Sequence, residues 1–221
     1  MIYPSSDLPL TDLPIDRLRK FSIDGSLMPE ITLETPRLIL RPMTLEDSCS
    51  VQRYFNNWNI IKYIGSDIPW PYPADGAKTY LRDTLKKVHY GETYLWGLTQ
   101  KGQANEVIGA IEYRLHSEEN DHRGFWLGEP FWGQGLMTEA VVATQDYVFH
   151  KLKKERLIVR TATSNEASRA IKRRCGAEII GVEKNDYLSG DTLQEIWEIK
   201  RQTWMSMGSQ VSINKYRVIT D

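Results

Sequence analysis

Cysteine is scarce in this chain: Cys49 and Cys175 are the only two among 221 residues. A secreted disulfide scaffold would carry more, and neither cysteine sits in a Cys-x-x-Cys or Cys/His spacing that would hold zinc. The four histidines (89, 116, 122 and 150) are scattered. Long apolar runs are also missing, with none near the roughly 20 residues that cross a bilayer. Net charge is nearly absent: 28 Lys and Arg stand against 29 Asp and Glu, for a formal charge of -1. That removes a global attraction to nucleic acid or anionic lipid. The opening segment MIYPSSDLPLTDLPIDRLRK lacks the basic start and apolar stretch of a secretory signal. The expectation is a soluble, cytoplasmic protein with one domain, no metal, no nucleic-acid partner and no membrane partner.

What is present is ordinary globular composition, 41% hydrophobic and 26% charged, enough to build a core. Residues 1–33 show no sustained period and read as an N-terminal extension. RLILRPM from Arg37 alternates as a half-buried strand does. Thr44-Leu-Glu-Asp47 starts a short helix running to about Phe55, and a second helix is expected over 75–90. Strands follow at 93–99, 107–115 and 123–127, joined as hairpins. The pattern then switches to helix 137–152, strand 156–162, helix 165–174 and a strand pair at 177–183 and 193–199. Hairpins followed by helical crossovers give a mixed α/β sheet with helices on both faces. Residues 205–221 read as a C-terminal extension.

The chemistry is concentrated in Phe125-Trp-Leu-Gly-Glu-Pro-Phe-Trp-Gly-Gln-Gly-Leu-Met-Thr-Glu-Ala140. A strand enters a loop carrying Gly133-x-Gly135, and the loop enters a helix. Glycines there let backbone amides approach a ligand, and the helix start offers unpaired N–H groups to an anion such as a pyrophosphate. A lone Gly-x-Gly is also an ordinary tight turn. No Lys-Ser/Thr follows, which excludes a Walker A loop, and no third glycine completes a dinucleotide fingerprint.

Together with Asn165-Glu-Ala-Ser168 and Lys172-Arg-Arg-Cys-Gly-Ala177, this stretch resembles the GNAT acetyltransferases. More narrowly it is similar to their RimJ/RimL branch of ribosomal-protein N-terminal acetyltransferases. Glu34-Thr-Pro-Arg-Leu-Ile-Leu-Arg-Pro42 resembles the family's first strand, and the likeness covers residues 34–204. It implies a central, mostly antiparallel twisted sheet with two splayed parallel strands. It also implies acetyl-CoA as cosubstrate, direct attack without a covalent enzyme intermediate, and a primary amine as acceptor, above all a protein or peptide N-terminus. A polyamine or antibiotic amine is the alternative acceptor, with Glu118, Glu119, Asp121 and Glu129 as its acidic pocket. A non-catalytic CoA-binding regulator is the other.

By the same resemblance Gly133, Gln134, Gly135, Leu136, Met137 and Thr138 cradle the pyrophosphate. The edge at Trp126, Leu127 and Gly128 binds the pantetheine amides and supplies an oxyanion donor. Asn165 binds the cofactor arm, Lys172 with Arg169, Arg173 and Arg174 reaches the 3′-phosphate, and Ser168 protonates the departing thiolate. Asp186, Glu112 and His122 compete as general base, in that order. Each has a plain structural reading: Ser168 as a helix first-turn residue, Glu112 as a solvent-facing residue, His122 in a turn, Asp186 as a loop cap. Trp58, Tyr63, Trp70 and Tyr72 line the expected acceptor pocket or pack the scaffold. The two extensions suit a homodimer interface.

Overall fold

The computed structural model describes residues 31–65, 67–103, 105–114, 121–207 and 216–220. Glu118 and Glu119 and the segment 1–30 lie outside the described residues. In chain order the strands are β1 (Ile31–Glu34), β2 (Leu38–Pro42), β3 (Thr93–Gln100), β4 (Gly109–Arg114), β5 (Arg123–Leu127), β6 (Arg156–Ala162), β7 (Glu178–Lys184), β8 (Leu193–Lys200) and β9 (Arg217–Thr220). The helices are α1 (Ser48–Phe55), α2 (Trp58–Ile61), α3 (Gly76–His89), α4 (Leu136–His150), α5 (Glu166–Arg174) and α6 (Arg201–Ser206).

The strands form two antiparallel sheets, one ordered β5-β4-β3-β2-β1-β9 and one ordered β6-β8-β7. Alternation along the first sheet sends one set of side chains to each face. Tyr94, Trp96, Leu98, Ile111, Tyr113 and Leu127 pack with α4. Leu95, Ala110 and Trp126 pack with α1 and α3 through Phe55, Leu81 and Leu85. Helices therefore cover both faces, as expected.

Strands expected at 123–127 and 156–162 match their observed bounds, each a short apolar or β-branched run set off by polar or charged residues. Three elements escape the sequence reading: β1, the single-turn helix α2, and α6. The start of α1 also differs. Leu45–Asp47 forms a 3-10 turn, with the Asp47 carboxylate accepting from the Thr44 amide (2.8 Å) and from Arg41 (2.7 Å). The sheet also reaches past the expected 34–204 domain at both ends. Ile31 to Glu34 pairs with Thr220 to Arg217, so part of each supposed extension belongs to the domain. Trp204 is fully buried, with its indole N–H bonded to Asp146 (3.0 Å).

Candidate active site

β5 and β6 are joined through α4, a crossover that lays two strands side by side in parallel. They share one junction. The His122 amide donates to the Ile158 carbonyl (2.8 Å), and the Ile158 amide donates to His122 Nδ1 (3.0 Å). Beyond it neither strand pairs with the other: β5 pairs with β4 and β6 with β8. The strands splay and a cavity of about 1700 Å3 opens around the gap.

The ladders decide which main-chain groups face that gap. Gly128 donates to Ile108 and Arg114 donates to His122, so the hydrogen-bonded pairs of β4 and β5 fall on even residue numbers. Bonded and non-bonded pairs alternate in an antiparallel ladder, and the amides of Phe125 and Leu127 consequently point into the cleft. The same reasoning applies to β6. Arg201 donates to Glu155 and Thr163 to Leu193, which leaves the main-chain groups of Arg160 facing the gap. Of the expected edge of Trp126, Leu127 and Gly128, Leu127 keeps its place, Phe125 joins it, and the other two do not face the gap through their amides. The Gly128 amide is spent on Ile108, and Trp126 meets the cleft through its ring, edge-on to Phe55 at 5.3 Å. The Leu127 carbonyl accepts from the Trp132 indole N–H (2.7 Å).

At the open end Gly133 and Gly135 both adopt left-handed backbone, φ 74° and 75°. Gly135 caps α4 without a side chain, so no capping oxygen competes for the amides of Leu136, Met137 and Thr138. Those first-turn N–H groups have no partner within the helix. The side chains of Leu136 and Met137 turn into the core while their amides stay at the cleft. Arg37, overlooked as a functional residue in the sequence, fixes this loop. It donates to the Gln134 carbonyl (2.8 Å) and to Glu139 (2.7 Å), and Glu139 also accepts from Thr35 (2.7 Å). Burial of Glu139 resists its ionisation, but the Thr35 and Arg37 bonds outweigh that and hold its carboxyl below the usual range. Its negative charge is thus turned away from the helix start. Gln134 itself is exposed, its side chain bonded to the Pro130 carbonyl (3.3 Å).

Across the gap, Asn165 accepts the Ser168 amide (3.1 Å) and caps α5. Ser168 and Lys172, one turn apart, both line the cavity, and the Lys172 ammonium donates to Ser168 Oγ at 2.7 Å.

Residues 37–178 match the acetyltransferase (GNAT) domain family model, well over half of the chain. The chain belongs to the GNAT acetyltransferases. It is 30% identical over 149 residues to p20 of Bacillus licheniformis, an uncharacterized N-acetyltransferase, covering 62% of this chain and 76% of that protein. YoaA of Bacillus subtilis, also an uncharacterized N-acetyltransferase, is 26% identical, with 68% and 84% covered. Among solved structures, Mycobacterium smegmatis RimJ in complex with a CoA disulfide shares the fold. The TM-score is 0.67 at 16% identity, with 86% of this chain and 97% of that one covered. The microcin C7 self-immunity acetyltransferase MccE, in complex with acetyl-CoA and AMP, superposes with TM-score 0.62 at 20% identity, 75% and 93% covered.

GNAT enzymes use acetyl-CoA, and the residues here fit it. A helix start with uncapped amides suits the pyrophosphate, and cleft-facing amides on two splayed strands suit an amide-bearing arm. Among the described residues no cluster of His, Cys, Asp and Glu is arranged to hold a metal ion, and no helix is long and apolar enough to cross a membrane.

The structure also places the competing base residues. Glu112 lines the cleft on the α1–α3 face, half-buried, accepting from Thr93 (3.4 Å) and Arg114 (3.2 Å). The His122 ring is committed to Ile158, and burial lowers its pKa. Asp186 is exposed and outside the cavity lining, where Asn185 and Tyr187 are found instead. Around Glu112 this half of the cavity gathers Tyr63, Asp67, Tyr72, Asp75, Tyr80 and Asp83. Burial pushes the Tyr72 phenol up to about 12 and raises that of Tyr80 as well, so both are neutral hydrogen-bonding groups. The expected acidic pocket is otherwise employed. Asp121 pairs with Arg114 (2.8 Å), and Glu129 accepts from Asn57 (2.5 Å) and Asn59 (3.2 Å).

The basic cluster on α5 divides. Arg169 is held by Glu195 (2.9 Å) and Glu166, Arg173 lies near Glu166 (3.6 Å), and Arg174 is exposed at the cavity. Lys172 departs from the expected role at an outer phosphate. It is 2% exposed, beneath α5, with its ammonium 5.7 Å from the centre of the Phe125 ring. Cys175 is buried, and burial raises its thiol pKa, as befits packing rather than nucleophilic chemistry.

Proposed function

We propose that this chain moves the acetyl group of acetyl-CoA onto the free α-amine of a protein or peptide. The observation that carries this reading is the pair of splayed strands whose cleft-facing amides lead to an uncapped helix start. In it, the amides of Leu136, Met137 and Thr138 hold the pyrophosphate and Arg37 keeps the loop in place. Phe125, Leu127 and Arg160 hold the pantetheine arm through their main chains. One of the two β5 amides also steadies the oxyanion as the amine attacks, a contribution that typically accounts for about 100-fold or more in rate.

Glu112 is the base of this reading, drawing the proton from the amine directly or through one water. An α-amine has a pKa of about 7.7–8.0, so a carboxylate is sufficient. Ser168 supplies the proton to the departing thiolate. The shared fold with RimL, a ribosomal L7/L12 alpha-N-protein acetyltransferase, supports an α-amine acceptor. The exposed carboxylates Asp67, Asp75 and Asp83 favour a second reading, a cationic small-molecule amine. A cytoplasmic location belongs to the same reading, and use of acetyl-CoA supports it.

The test is acetyl transfer followed by mass spectrometry. The panel contains peptides with free and blocked N-termini, a polyamine and an aminoglycoside. Transfer confined to free N-termini supports the first reading, and transfer to the small amines alone replaces it with the second. Acetyl-CoA binding with no transfer to any of them would leave a CoA-binding regulator.

A further inference from the structure

Lys172 has no solvent-facing role. Its side chain is buried among α5, β5 and β8, yet its ammonium lies at the cavity wall and donates to Ser168 Oγ at 2.7 Å. That bond occupies an oxygen lone pair of Ser168 and leaves the hydroxyl hydrogen to be directed elsewhere, and Ser168 itself lines the cleft. Arg123, 4% exposed, lies near the same Phe125 ring as the ammonium. Its guanidinium donates to Gln145 (2.9 Å) and the Tyr113 hydroxyl (3.3 Å), while Nε and Nη2 have no hydrogen-bond partner among the described residues. Two cations thus crowd one wall of the cleft, with the Phe125 ring within 6 Å of both.

We infer that Lys172 is the proton reservoir for the departing CoA thiolate, acting through the Ser168 hydroxyl. This rests on the assignment of Ser168 as the group facing the sulfur. As the carbon–sulfur bond of the tetrahedral adduct breaks, its electron pair goes to sulfur. Sulfur takes the Ser168 proton, and Ser168 Oγ takes a proton from the Lys172 ammonium in the same movement. Lys172 is left as a neutral amine and regains a proton from water in the open cleft, while Glu112 returns the acceptor's proton to water, so protons balance and no further reactant is needed. Lys172 touches no substrate atom and is a positioning and relay residue.

The surroundings make this exchange feasible. Burial first, and then Arg123 from β5, lower the Lys172 pKa to about 7. Asp121 before β5, Glu195 from β8 and Cys175 from α5 act the other way. Asp121 and Glu195 are themselves paired with Arg114 and Arg169. The ammonium is therefore a far stronger acid than an ordinary lysine of about 10.4, and the Arg123 charge also favours a thiolate beside it.

The first test needs no turnover. Nitrogen NMR of the lysine side chains, assigned by difference with Lys172→Arg, should show the Lys172 ammonium titrating near neutrality, with a midpoint that moves in Ser168→Ala. A midpoint at the ordinary lysine value overturns the inference. The second test measures kcat against pH with the best acceptor of the amine panel, alongside the acetyl-CoA dissociation constant from calorimetry. Lys172→Met should bind acetyl-CoA as the wild type does and lose about 100-fold in kcat. It should also lose the decline at high pH that marks a required acid. Lys172→Arg keeps the charge but cannot release a proton, so it should not rescue. Rescue by arginine would reduce Lys172 to a fixed charge and sink the relay. If Ser168→Ala is impaired but Lys172→Met keeps the wild-type rate and profile, the relay fails and the Ser168 assignment stands. Full activity in Ser168→Ala removes both.

Discussion

On the α4–α5 side of the cleft, apart from the α5 side chains of Ser168 and Lys172, the groups that face the gap are main-chain amides. They come from β5, β6 and the first turn of α4, and the side chains of Leu136 and Met137 turn away into the core. On the α1–α3 side the groups are side chains: Tyr63, Asp67, Tyr72, Asp75, Tyr80 and Glu112, gathered from α3, β4 and the segment between α2 and α3. A site made of main chain requires only that the backbone be bare and correctly turned. Its sequence record is therefore short and contiguous. A site made of side chains depends on how distant segments pack, and it leaves no local record.

The largest expected effect breaks the main-chain side. Gly135 holds φ 75° and its missing Cβ lies 3.7 Å from Arg37 Nη2, so Gly135→Trp strains the loop and fills the space before the helix amides. We expect the folded variant to show no thermal shift with acetyl-CoA. Saturation at 100 times the dissociation constant should stabilise the wild type by about 2.7 kcal/mol. Next comes the side-chain side. Glu112→Gln should lower kcat by about 100-fold and leave acetyl-CoA affinity unchanged by calorimetry, since Glu112 sits on the opposite face from the loop. An equal loss of affinity would mean the two sides are not separable.

Arg37→Ala sharpens the comparison, because Arg37 serves the main-chain side through a side chain. It should weaken acetyl-CoA binding by about tenfold, roughly 1.4 kcal/mol, with kcat preserved at saturation. The last effect is at the junction and falls on stability alone. His122→Leu leaves the Ile158 amide without its acceptor and should cost about 1–3 kcal/mol in denaturant unfolding. The His122 pKa is lowered on folding by burial, so the unfolded chain binds its proton more readily. This contribution to stability is complete above the unfolded value near 6.5 and is lost as pH falls through the lowered folded value. The wild type should lose stability as the pH drops below 6.5, and His122→Leu should lose less over the same range.

The contrast also explains what could be read without a structure. Gly133-x-Gly135 followed by an uncapped helix start is visible as letters, and so are β5 and β6, short strand-like runs bounded by polar and charged residues. Which amides of β5 face the gap is not visible, because it depends on whether even or odd residues bond to β4. Of the expected edge at Trp126, Leu127 and Gly128, only Leu127 was therefore in phase, and Phe125 was missed. Lys172 was misplaced for a related reason. Charge counting groups it with Arg169, Arg173 and Arg174 on one helix, while helical geometry turns it alone toward Phe125 and the core. Arg37 looks like a strand residue until Glu139, 102 positions later, is folded against it. β1 was missed because it is only four residues long and gains its meaning from β9, whose segment reads equally as a last strand or a packed extension.

The single junction at His122 and Ile158 has a mechanical consequence. Two sheets that share one rung are coupled as panels are by one hinge pin, and every rung the panels lack is a place where a bound chain can join them. A ligand arm lying between Phe125 and Arg160 supplies those rungs and turns two panels into one continuous plate. Stiffness across the molecule would then be on loan from the cosubstrate, highest while the donor is seated and released when the spent carrier leaves. Amide exchange at Leu127 and Arg160 would follow that cycle, while exchange in β2 and β3, far from the hinge, would not change.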